Sequence, residues 1–132
     1  MFGKPKHGWV NIDIGEYRGH GSYLTDIPFD FLDAAIHSLE NNAPFVLFID
    51  EEGYESYITS YYNATFINRN RHRLETYYIL QDHKELIEDG VTDIERHLDD
   101  WAYFDCSVDE IEEANKRKEE LERLIKRVRS YL

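Results

Sequence analysis

Phe45-Val46-Leu47-Phe48-Ile49, then Asp50-Glu51-Glu52-Gly53, then Tyr54-Glu55-Ser56-Tyr57-Ile58-Thr59-Ser60-Tyr61-Tyr62, and, beyond a polar, basic stretch from Asn68 to Arg73, Leu74-Glu75-Thr76-Tyr77-Tyr78-Ile79-Leu80: this succession decides the fold. The first run is apolar throughout and suits a strand covered on both faces. Acidic residues and a glycine then supply turn chemistry, and the aromatic and β-branched run after them favours a pleated surface. The spacing predicts a three-stranded antiparallel meander against which the rest of the chain packs. Between Tyr54 and Ile67, Ile58, Tyr62 and Phe66 are expected on one face and Tyr57, Tyr61 and Ile67 on the other. Both faces are then aromatic, so either both are covered or one tyrosine-rich face stays open for a partner.

Ahead of the meander, Trp9 to Ile14 alternates with a period of two, placing Val10, Ile12 and Ile14 on one side. Gly15-Glu16 makes a tight turn into Tyr17 to Leu24, a second strand loosened by Gly19 and Gly21. Thr25-Asp26-Ile27-Pro28 starts a helix, with a capping side chain and proline in the first turn. Phe29, Leu32, Ala35, Ile36 and Leu39 form its apolar stripe, and Asn41-Asn42 before Pro44 ends it. Behind the meander, Asp82 caps a short helix closed by Asp89-Gly90. Thr92-Asp93-Ile94-Glu95 launches another, with Ile94, Leu98 and Trp101 on its buried side. Ser107-Val108-Asp109-Glu110 opens the longest element, running to about residue 130. The fold class expected is α+β, with about five antiparallel strands, one covering helix, two short acidic helices and a long C-terminal helix. Residues 1–106 form the acidic α+β part, and residues 107–132 the long charged helix of the same domain.

The chain has 132 residues and a formal charge of −12, from 27 acids and 15 bases. Such a chain is repelled by nucleic-acid backbones and anionic membranes and attracted to basic partners, so direct nucleic-acid or membrane binding is not expected. Residues 107–132 balance seven acids against seven bases, so the whole surplus belongs to residues 1–106. Within it, residues 82–105 hold nine acids against Lys84 and Arg96. A single cysteine, no hydrophobic signal-peptide region and no membrane-length apolar run point to the cytoplasm.

Signals for chemistry are weak. Cys106 has no neighbouring histidine and reads as structural. Six histidines form no His-x-x-x-His pair, and Asp50-Glu51-Glu52 lacks the spacing of a calcium loop. No cofactor, no metal and no catalytic role is expected.

The remaining signal is an acidic, aromatic-bearing surface made of Asp89, Asp93, Glu95, Asp99, Asp100 and Tyr103, joined by Asp50, Glu51 and Glu52. Carboxylates spaced along a helical surface imitate a phosphate ladder and fit the basic groove of a nucleic-acid-handling protein, with tyrosine as a packing anchor. The competing reading is a solvated helix face. In size and charge alone, the compact acidic α+β build is similar to nuclease-immunity proteins and phage-encoded inhibitors of host defence nucleases. That likeness implies a small protein-binding inhibitor that occludes a basic surface. The alternative expectation is a homodimeric structural or assembly module. For it, a heptad seam through Ile111, Leu121, Ile125 and Val128 pairs the C-terminal helix with a second copy.

Overall fold

The protein was described from a computed structural model covering residues 1–105 and 107–132; Cys106 lies outside the described residues. The fold is α+β, with two antiparallel sheets instead of one. β1 (Trp9–Ile14) and β2 (Tyr17–Ser22) form a hairpin through the Gly15-Glu16 turn, in the register Ile12↔Gly19. The lead-in doubles back along β1, with bridges Phe2↔Ile12 and Lys6↔Trp9 around a turn whose His7 and Gly8 both have positive φ. α1 (Ile27–Asn41) follows, ending in a left-handed Asn42. The second sheet has the order β3 (Phe45–Asp50), β4 (Glu55–Tyr61), β5 (Ala64–Asn70) and β6 (Leu74–Ile79). α2 (His83–Arg96), α3 (Leu98–Ala102) and α4 (Ile111–Arg129) complete the chain.

Six strands replace the five expected because the chain reverses at Tyr62-Asn63, between Tyr61 and its cross-strand partner Ala64. Nothing in that dipeptide has the glycine signature of a short hairpin turn. Tyr62 takes a positive φ of 53°, an uncommon place for an aromatic residue. Ile58 and Ile67 therefore stand side by side, facing inward, instead of on opposite faces. The stretch from Asn68, expected as a connector, is the end of β5 as far as Asn70.

The core lies between the inner face of the second sheet and a cover made of the β1–β2 hairpin and α1. Phe45, Leu47, Ile49, Ile58 and Ile67 meet Ile12, Ile14, Tyr17, Phe31, Leu32 and Ala35 there, all buried. Phe2 closes one side, edge-on to Phe31 and to Trp101 at 5.4 and 5.5 Å. Along α1, Phe31 is the buried ring, while Phe29 is half-buried beneath the Arg117 guanidinium at 4.9 Å.

Several expected helix boundaries move, each for a tertiary reason. Gly90 does not close a helix. α2 runs through it, because a Cβ there would sit 2.2 Å from the Phe31 ring, and the glycine admits that ring against the backbone. Asp82 caps α2 through Lys84 N–H and Glu85 N–H. Asp26 precedes α1 but makes no capping bond, since its carboxylate takes both prongs of Arg117 at 2.8 and 3.0 Å. Ser107 does not cap α4; its N–H and hydroxyl go to the Asp105 carboxylate, and α4 starts at Ile111.

Most of the expected dimerisation seam is packed inside the chain by α4. Leu121, Ile125 and Val128 are fully buried within the chain, where α4 lies across α1, α2 and α3. Only Ile111 of the expected seam is exposed, at 68%. The Leu121, Ile125 and Val128 side chains are spent on packing within the chain. Among the described residues, no helix is long and apolar enough to cross a membrane.

Candidate functional site

The protein itself supplies counter-charges to part of the expected acidic surface. Asp93 is buried and accepts from the Met1 amino group at 2.9 Å, Phe2 N–H at 3.0 Å and Arg96 at 2.9 Å. Glu95 meets Arg129 at 3.2 Å, Asp99 meets Lys118 at 2.9 Å, and Asp100 lies 3.8 Å from the His97 ring. Asp89 accepts from Gln81. Tyr103 is exposed. The bases of α4 thus serve as counter-ions to the helices they pack on, and Asp99 in turn raises the Lys118 pKa through its hydrogen bond and charge. Arg127 likewise pairs with Glu40 on α1, lowering that carboxyl's pKa.

Glu51 is also corrected from a partner-facing acid to a core residue. It is 4% exposed and accepts from His20 N–H at 2.9 Å, Ser56 hydroxyl at 2.6 Å, and Arg69 through Nε and Nη2 at 3.1 Å each. Arg69, expected in a solvated tip, is buried too; it donates to Arg18 carbonyl and stacks 4.6 Å from the Tyr17 ring centre. Burial opposes the Arg69 charge, but the Glu51 carboxylate outweighs it and holds the guanidinium's pKa above its usual value. Burial, with the Glu51 charge behind it, pushes the Tyr17 hydroxyl up; that hydroxyl has no hydrogen-bond partner. This network joins β2, β3, β4 and β5, and so ties the hairpin to the meander. Asp50 and Glu52 remain at the β3–β4 turn, joined by Glu55, and none of the three forms an ion pair among the described residues.

Among the described residues, nothing covers the outer face of the second sheet. The cross-strand register puts Val46, Thr59, Phe66 and Tyr78 in one row and Phe48, Tyr57, Asn68 and Thr76 in the next. Val46 is 54% exposed, Tyr57 43%, Phe66 44% and Tyr78 58%. The rings pack in neighbouring pairs, Phe48 with Tyr57 at 5.3 Å and Phe66 with Tyr78 at 4.9 Å. Such pairs hold one another in place, so the face is ordered before anything touches it. At one end lie Asp50, Glu52 and Glu55. At the other, the Tyr61 and Tyr62 rings pack tilted with centres 4.2 Å apart, and His83 N–H, donating to Tyr62 carbonyl at 2.8 Å, ties in the start of α2.

Sequence reasoning named Tyr57 and Tyr61 on this face but missed Val46, Phe48, Phe66 and Tyr78. Five apolar residues in a row read as a strand covered twice, and only the position of the covering elements shows that one side is bare. Chemically, the surface offers packing area and carboxylates. No group of three or more His, Asp or Glu residues among those described could hold a metal ion.

The α+β arrangement, a hairpin and a helix covering one side of a four-stranded meander, defines the class of protein by its build alone. No family model matches the chain, and no curated protein or solved structure matches it.

Proposed function

We propose that this is a small, non-catalytic, cytoplasmic binding protein that acts by occlusion. It lays the outer face of the second sheet on the basic, nucleic-acid-binding surface of a nuclease or another nucleic-acid-handling protein, in the manner of an immunity or anti-defence inhibitor. One observation carries the reading: an aromatic sheet face stands open, and at its β3–β4 end lie Asp50, Glu52 and Glu55, none of them in an ion pair among the described residues although Arg71 is close by. The aromatic rows supply anchors, and Asp50, Glu52 and Glu55 supply charge for lysines and arginines that otherwise hold phosphates. Spread over four strands about 4.8 Å apart and some 20 Å long, the face covers roughly 300–400 Å². A second copy brings −12 against −12 and sets the same carboxylates against each other, so a basic partner fits better than a second copy.

The test is a partner captured from the native host at low salt, whose DNA or RNA binding is then measured with and without this protein. The expected result is competitive loss of nucleic-acid binding, weakening steeply as salt rises and abolished by Phe66→Asp. A partner that keeps its nucleic-acid binding, or an affinity indifferent to salt, overturns the reading.

A further inference from the structure

We infer that the free edge of β6 receives an extended, basic segment of the partner, which adds to the second sheet as a fifth strand. This rests on the docking reading above and specifies how the partner is held. β6 is bonded on one side to β5, and no strand pairs with its outer side among the described residues. The opposite edge of that sheet is guarded, since β3 lies against β2 and Glu51 accepts from His20 N–H across the join.

Edge strands ordinarily protect themselves with lysine, proline, a bulge or a covering loop. Leu74 to Leu80 has none of these residues and is rich in β-formers. Its one charge, Glu75, is turned away onto Arg69, Arg71 and the Tyr77 hydroxyl. A groove of about 530 Å³ runs along the edge, lined by Gly15, Glu16 and Thr76 to Leu80. The hairpin turn forms its wall, packed so closely that a Cβ on Gly15 would be 2.9 Å from Ile79 Cγ1.

The shape and charge of that groove select the occupant. Successive side chains of an added strand point alternately inward and outward. The inward set meets the half-buried Tyr77 and Ile79 with the exposed Glu16 carboxylate at the lip, a setting for a long aliphatic stem ending in a cation. The outward set extends the aromatic face beside Tyr78 and suits β-branched residues. The segment that fits therefore alternates lysine or arginine with valine-like residues, and it binds mainly through its backbone. A second copy of this chain presents Leu74 to Leu80, which has no cation to offer Glu16.

The probe is a short synthetic peptide alternating lysine and valine, with a twin N-methylated at alternate backbone amides. Binding is read by calorimetry and by amide hydrogen exchange of the full chain. The expected result is that the first peptide binds and slows exchange in β6. The twin, deprived of its strand hydrogen bonds, binds about tenfold more weakly or worse, and Glu16→Lys weakens the first peptide without altering thermal stability. Equal binding of the twin, protection away from β6, or concentration-dependent self-association of the protein through β6 overturns the inference. Tyr57→Asp separates the two readings, because it disrupts docking of the whole partner from β4, two strands away from β6, while leaving the β6 edge and its peptide intact.

Discussion

Two regions of this molecule carry the same chemistry and put it to opposite use. On the α2–α3 surface Asp93, Glu95 and Asp99 are answered from within the chain, by the amino terminus, Arg96 and the bases of α4. Around the outer face of the second sheet, carboxylates and aromatic rings are left unanswered. A residue's charge says what it can attract; only its neighbours decide whether that capacity is already spent. The contrast teaches that a net charge of −12 locates no surface until the internal pairs have been set aside.

The strongest way to break the contrast is to attack a pair that the protein has consumed. Glu51→Ala leaves Arg69 buried without its carboxylate, and we expect a loss of about 3–5 kcal/mol in denaturant unfolding. Replacing both partners with apolar residues should cost less than the two single changes together; additivity would mean that the pair is not coupled. Next come the open rings. Phe66→Asp and Tyr57→Asp should weaken partner binding by about 2 kcal/mol or more while leaving the fold in place, whereas Asp99→Lys together with Asp100→Lys should leave binding nearly unchanged. If the helix pair matters and the rings do not, the two regions have been assigned the wrong way round.

Smaller effects sharpen the comparison. Tyr62→Gly relieves a left-handed backbone that glycine adopts freely, so the folded state should hold steady or gain up to about 1 kcal/mol, while binding weakens through loss of an exposed ring. The pH dependence should be slight and of two signs. The Asp105 carboxyl is held below its ordinary value of 3.8, chiefly by Ser107 N–H and then by the Ser107 hydroxyl. Its stabilising contribution is therefore present above that value and lost as pH falls through the lowered one. Burial, and then Asp26 and Asp33, push Asp30 above its ordinary value of 3.8. Asp30 is exposed in the first turn of α1, so its ionised form is only mildly disfavoured at neutral pH; Asp30→Asn should raise stability there slightly, with the gain shrinking as pH falls. Chemical denaturation of the two variants, Asp105→Asn and Asp30→Asn, at pH 7 and pH 3 checks both signs.

Local periodicity made the strands, α1, the Asp82 cap and the amphipathic character of α4 legible from residues alone. Each depends on side chains within a few positions of one another, and the antiparallel α+β build followed from them. The turn at Tyr62-Asn63 was not legible, because an aromatic residue at positive φ breaks the rule by which short hairpins are recognised. Gly90 looked like a helix end because its true reason, the Phe31 ring, comes from 59 residues away.

The residues that bear on function divide along the same line. Composition and local order by themselves determined that the chain folds, that it is acidic, and that a tyrosine-rich sheet lies at its centre. The tertiary structure alone decided which acids are free, since the deciding pairs join distant residues: Arg117 reaches Asp26 across 91 positions and Arg127 reaches Glu40 across 87. It alone decided, too, which side of the sheet stays bare. Charge and hydrophobicity act through distance in space, and a one-dimensional pattern specifies that distance only for near neighbours.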